Sequence, residues 1–280
     1  MTALLDTIAA SGRPLLWLEH AAYSGGLLAA GNIPWLDVSA LVAWQRKAQG
    51  LLRPDVATLP LAPLIDAWLR QHPQLTEAMG EKRRALYPLK TLLADEALRA
   101  HVAEALSGLR SCFPKLPLAL VMPSPRRWPA QAYLQAMGSV DGVEIGADEI
   151  DSAAMYIADF LRSFGESGID ALLLEESPEA VPASAGEIEW YRPLLNVCAH
   201  YRWSCGLRLP RADGKLEPVE GVSFIIAPAV VASAVAGISV PDSFWNDGIV
   251  PQCPPGGFRF AEITAGANPE TVLERLAALR

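Results

Sequence analysis

One pattern constrains this chain more than any other: short, continuous apolar runs alternate with longer amphipathic segments along its whole length. The runs are Leu15–Glu19 (LLWLE), Asp55–Leu61 (DVATLPL), Ile169–Leu174 (IDALLL) and, clearest of all, Pro117–Met122 (PLALVM); Trp203–Leu209, Val222–Ala227 and Phe258–Ile263 are further strand candidates. Runs of this length that are apolar throughout, without a polar alternation, belong to strands buried on both faces. Between them the apolar residues recur at helical spacing. In Ala147–Ser167, Ile150, Ala153, Ala154, Ile157, Phe160, Leu161 and Phe164 share one face, and Gly165 and Gly168 follow. Further helices are expected at Val38–Gln49, with Asp37 as cap, over Leu86–Arg110 with a break near Pro88, at Ile188–Tyr201, and at Pro269–Leu279, with Asn268 as cap and Pro269 in the first turn.

Strands alternating with helices imply a parallel sheet covered on both sides. About seven or eight such units in 280 residues predict an α/β fold, a compact (β/α)8 TIM barrel forming one domain over residues 1–280. An open doubly wound sheet is the alternative, but neither GxGxxG nor GxxxxGK[ST] is present. The uncharged stretch Gly221–Pro241 has about the length of a membrane span. It contains Pro228 and Gly237 and is flanked by Glu220 and Asp242, so it is read as a buried strand, a short Ala/Val helix and an apolar return. No basic region precedes an apolar run at the N-terminus, and a soluble, cytoplasmic protein is expected.

A net charge of −8 argues against general nucleic-acid binding, which needs Lys and Arg against phosphates. The charge is uneven. Residues 1–140 carry 14 Lys/Arg and 10 Asp/Glu, whereas residues 141–280 carry 9 and 21. On one barrel this reads as a polarised surface. The four cysteines (Cys112, Cys198, Cys205 and Cys253) form no CxxC pair and are too few for a disulfide scaffold.

In a barrel, chemistry sits at the carboxyl ends of the strands. Reading those ends in order gives Glu19, His20 and Tyr23; then Ser124, Arg126, Arg127 and Trp128 in an SPRRWP segment; then Glu175 and Glu176; then Cys205 and Arg208; and late in the chain Asp242, Trp245, Asp247 and Cys253. Guanidinium forks bind carboxylate or phosphate, and an indole stacks on planar groups. Glu19, Tyr23, Ser124, Arg126, Arg127 and Trp128 are therefore the candidate residues for holding a small anionic substrate. Glu175, Glu176 and His20 are the acid–base candidates. Adjacent strand residues face opposite ways, so only one of Glu175 and Glu176 faces the mouth. The structural alternative is an ion pair between these glutamates and Arg126, Arg127 or Arg208.

The run DEIDSAAMYIADFLRSFGESGIDALLLEES (148–177), the unit WYRPLLNVCAHYRWSCG (190–206) and the closing FAEITAGANPETVLERLAALR resemble the uroporphyrinogen decarboxylase and cobalamin-independent methionine synthase superfamily of barrels. The likeness covers about half the chain. It implies methyl or other one-carbon transfer, or chemistry on a small carboxylated substrate. For the metal-dependent members it implies zinc, with Cys205 and Cys253 as the corresponding thiolates. Those members carry a His-x-Cys pair where this chain has Trp203-Ser204-Cys205, so one ligand is missing. Arg13-Pro14 is similar to the arginine-bearing N-terminal segment of the decarboxylases, but Glu19-His20 stands where arginine is expected. The alternative is a non-catalytic barrel acting as a binding subunit beside a corrinoid protein or another methyltransferase.

Overall fold

The computed structural model describes residues 3–178, 183–211, 216–231 and 234–280. Eight strands, all parallel, are hydrogen-bonded in the order β1-β8-β7-β6-β5-β4-β3-β2, with β1 at Leu15–Glu19, β2 Ala57–Pro60, β3 Leu118–Pro123, β4 Ala171–Glu175, β5 Ser204–Arg208, β6 Phe224–Ala227, β7 Val235–Ser239 and β8 Phe258–Glu262. The helices are α1 Ala3–Ala10, α2 Ala21–Ala29, α3 Val38–Leu52, α4 Leu61–Gln71, α5 Pro73–Met79, α6 Tyr87–Leu93, α7 Glu96–Cys112, α8 Trp128–Met137, α9 Ala147–Arg162, α10 Ala185–Glu189, α11 Arg192–Tyr201, α12 Phe244–Asp247 and α13 Pro269–Leu279. This is the expected (β/α)8 barrel. None of the described helices is long and apolar enough to cross a membrane.

The seam between β1 and β2 is closed by a side chain. Leu16 N–H donates to Asp55 Oδ2 at 2.7 Å, and Asp55 N–H donates to Leu16 O at 2.9 Å. Arg13 holds Asp55 by two bonds of 2.8 Å. The same device recurs before β4, where Asp170 accepts from Leu118 N–H at 2.8 Å and pairs with Arg110. Both aspartates lie at the amino ends of strands, opposite the mouth, where a barrel's conserved polar groups serve stability rather than chemistry.

Strand parity sorts the side chains into two cores. Outward residues such as Leu118, Leu120, Leu172, Leu174, Cys205 and Leu207 pack under the helices. Inward residues fill the barrel: Leu15, Trp17, Ala119, Val121, Ala171, Leu173, Phe224, Ile226, Phe258 and Phe260, with Leu4 and Ile8 of α1 closing the bottom. Large rings face small residues. At Gly206 an added Cβ would stand 2.0 Å from the Phe224 ring, which is itself fully buried. Replacing Gly206 by Val is expected to cost about 3 kcal/mol of stability through overpacking. Urea denaturation checks this, and an unchanged midpoint would contradict the packing described.

Several boundaries differ from the sequence reading, each for a local reason. The helical stretch 86–110 breaks at Asp95, not at Pro88. Asp95 accepts from Leu98 N–H at 2.6 Å as a new N-cap, while Pro88 sits harmlessly in the first turn of α6. The stretch 188–201 is two helices, because Ser184 and Glu187 form a capping box for α10 and Pro193 opens α11. The short Ala/Val helix after β6 is absent from the described residues 228–231, and residues 232–233, also within it, lie outside the described ones. The apolar return is β7, paired in parallel with β6 after only seven intervening residues.

Candidate functional site

At the mouth the inward parity continues into charge. Above Leu15 and Trp17 comes Glu19; above Ala171 and Leu173 comes Glu175; above Ser204 and Gly206 comes Arg208; above Phe258 and Phe260 comes Glu262. These four side chains, with Arg127, Glu176 and Pro60, line a cavity of about 470 Å3 at the carboxyl ends of the strands, a size that suits a small ligand. Its floor is the aromatic interior of the barrel. Arg208 lies over the Phe260 ring, 4.6 Å from its centroid.

Arg208 organises the carboxylates. Its guanidinium donates to Glu175 Oε1 at 2.8 Å and to Glu262 Oε2 at 2.7 Å. Arg127 Nη1 lies 3.8 Å from the other oxygen of Glu175, a looser contact. With its amide oxygen turned inward, Gln131 accepts from Arg127 Nε at 2.9 Å and Nη2 at 3.1 Å and braces that side chain. Glu19 has no arginine within ion-pair distance among the described residues. Its Oε1 accepts from Ala21 N–H at 3.0 Å. Burial over the apolar floor, reinforced by the charges of Glu175 and Glu262, pushes its carboxyl up to about 7, against the smaller lowering effects of the Ala21 bond and Arg208.

The remaining candidates divide by parity and packing. Glu176, one residue past Glu175, turns toward α10 and α11. It accepts from Tyr191 O–H at 2.5 Å and lies 3.6 Å from Arg126, which also reaches Glu187 at 3.4 Å. Arg126 is thus engaged inside the wall, whereas Arg127 faces the cavity. Ser124 is fully buried, and its hydroxyl accepts from Arg127 N–H at 3.3 Å. Trp128 is buried with its ring edge-on to Phe160, so it supports α8 and presents no face to the mouth. Tyr23 packs in the apolar cluster of α2 and α13.

His20 points away from the cavity. Its Nδ1 lies 2.9 Å from Ser24 Oγ and its ring 6.0 Å from that of Trp44. Burial lowers it to about 4. A buried neutral imidazole makes acid destabilising: between pH 6.5 and 4 the unfolded chain takes up a proton that the folded one refuses. Glu19 acts in the opposite sense. It holds a proton between pH 4.5 and 7 that the unfolded chain releases, so stability falls as pH rises through that window. The two effects oppose each other from pH 4.5 to 6.5. His20→Gln is expected to gain about 2 kcal/mol on the wild type at pH 5 relative to the difference between them at pH 7.5. Chemical denaturation at the two pH values checks this; an equal difference at both would place His20 in water.

The thiols do not assemble. Cys205 is fully buried on the outward face of β5, under the helices and beside Cys198 of α11. Cys253 sits beside Gly257 just before β8, at the opposite end from the mouth. Among the described residues no three His, Cys, Asp or Glu side chains are grouped to hold a metal ion. The donor set therefore does not fit zinc.

Sequence parity gives Glu175 as the inward glutamate once β4 is placed. Arg208 pairs with Glu175 as the structural alternative for that glutamate has it, whereas its place among the site residues, and Glu262 altogether, were missed. Their signal is the same period of two, in Ser204-Gly206-Arg208 and Phe258-Phe260-Glu262, which requires the strand ends to be known to the residue.

No protein-family model and no curated protein sequence matches this chain. Among solved structures it is similar to the homocysteine methyltransferase MmuM from Escherichia coli in its apo form, with a TM-score of 0.54 at 13% identity over 99% of this chain and 98% of that one. Dihydrodipicolinate synthase from Agrobacterium tumefaciens is more distant, with a TM-score of 0.42 at 13% identity over 97% of this chain and 78% of that one. At this identity the first likeness shows the barrel fold and nothing of the reaction.

Proposed function

We propose that this barrel is an enzyme that transfers protons on a small carboxylated substrate, with Glu19 as the general acid–base. The observation that carries this is a carboxyl group raised to about 7, opening into the mouth cavity while its neighbours are held in ion pairs. A group whose pKa sits near the working pH both accepts and donates a proton efficiently. Arg127, braced by Gln131 and only loosely held by Glu175, binds the substrate carboxylate as a fork. Arg208 fixes Glu175 and Glu262 and keeps the mouth electrically balanced. The resemblance to decarboxylases and methyltransferases supports a carboxylated substrate, and the cavity of about 470 Å3 supports a small one. The zinc-dependent branch of that superfamily finds no thiolate cluster here.

The test is wash-in of solvent deuterium. A panel of small 2-oxo, 2-hydroxy and 2-amino carboxylates is incubated with the protein in deuterium oxide, and loss of the proton signal next to the carboxylate or ketone is followed by NMR. Protein-dependent exchange of at least one member supports the reading. Exchange of none, with the protein folded, contradicts it and favours a non-catalytic binding barrel.

A further inference from the structure

The connection from β2 to β3 holds four helices where a barrel unit needs one. α4 and α7 flank the sheet, and α5 and α6 are additional. These added helices create a second cavity of about 530 Å3 against α9, separate from the mouth. Its walls carry Lys82, Arg84 and Lys90, the phenol rings of Tyr87 and Tyr156, and a single carboxylate, Asp95. Asp95 is already engaged as the N-cap of α7. Neither Lys82, Arg84 nor Lys90 has a carboxylate within ion-pair distance among the described residues. Adjacent Arg83 adds a fourth unpaired cation, and Glu81 is turned to the Tyr87 hydroxyl at 3.1 Å.

Four cations without a carboxylate partner lie within nine residues at the exposed rim of this cavity, and in a chain of net charge −8 they gather a local positive potential that favours an anion. The cations also lie beside aromatic faces. Lys82 Nζ is 4.8 Å from the Tyr87 ring centroid and Lys90 Nζ is 5.6 Å from that of Tyr156. A ligand that joins phosphate groups to a planar ring meets both features at once: phosphate oxygens on the ammonium and guanidinium groups, and the ring on a tyrosine. We infer that the α5–α6 cavity is a binding site for a nucleoside phosphate, distinct from the mouth.

The experiment titrates the full chain with ADP, and separately with adenosine, inorganic phosphate and a poly-glutamate peptide, by isothermal calorimetry. ADP is expected to bind, adenosine and phosphate each at least about tenfold more weakly. The exposed pair of substitutions Arg84→Ala and Lys90→Ala should weaken ADP at least about tenfold. Tyr156→Leu should weaken ADP but leave the response to phosphate unchanged. Glu19→Gln, at the mouth, should leave ADP binding as it is. No ADP binding to folded protein, phosphate binding as tightly as ADP, or an unchanged ADP affinity in the Arg84/Lys90 double variant would overturn the inference. Tighter binding of the peptide than of ADP would also overturn it, and would make the cavity a docking surface for acidic protein.

Discussion

Glu19→Gln should lower the rate of deuterium wash-in by at least about a hundredfold, the usual contribution of a positioned general acid–base. Glutamine keeps the size of the side chain and an oxygen to accept from Ala21 N–H, so the fold is retained. Substrate affinity, held by Arg127, should change little, which places the loss in kcat rather than KM. The same variant should be more stable than the wild type above pH 7. There the wild type must hold a charged carboxyl over the Trp17 and Phe260 floor beside Glu175 and Glu262, and glutamine has no charge to desolvate. A variant that is less active and more stable is the signature of a group kept for function. Undiminished exchange in Glu19→Gln would assign the chemistry to another residue.

Arg208→Met should show the converse. The methionine stem still covers Phe260, but Glu175 and Glu262 lose the cation that joins them. Removing one partner of a largely buried ion pair leaves its carboxylates uncompensated. Glu262 is half exposed, at 55%, and part of its charge is screened by water. The expected loss at pH 8 is therefore about 2–3 kcal/mol rather than more. It should shrink as salt is raised and the loosened charges are screened, whereas a loss of packing would be the same at low and high salt. Urea denaturation at the two salt concentrations separates these cases. The variant should also raise the Glu19 midpoint further, since the charge of Arg208 opposes its shift.

The barrel was legible in the chain because its strands are apolar on both faces. LLWLE and the helix Pro269–Leu279 are found to the residue, and Asp37 caps α3 as its position implies, accepting from Ala40 N–H at 2.9 Å. The region after β5 was not, because β6 and β7 are four and five residues long and are joined without a helix among the described residues. The candidate site was half legible. Glu19, Arg127 and Glu175 follow from strand ends and parity. His20, Trp128 and Cys205 carry chemically suggestive groups, yet each turns into the helix layer. For Cys205 a one-residue step along β5 decides that, and for His20 and Trp128 the start of the following helix does; composition reports neither. Glu19 itself reads as an ordinary carboxylate in sequence. Its raised pKa comes first from burial in the closed barrel mouth, then from Glu175 across the mouth and from Glu262, which the pairing of β1 with β8 brings beside it; none of this is local in sequence.

The central claim rests on the protonation of one group. Carbon-13 NMR of protein labelled at the glutamate side-chain carboxyls, with Glu19→Gln used to assign the resonance, follows its titration directly. A midpoint near 7 is predicted. A midpoint near 4.5, the value of a glutamate in water, would contradict the assignment of Glu19 as the proton carrier of this barrel.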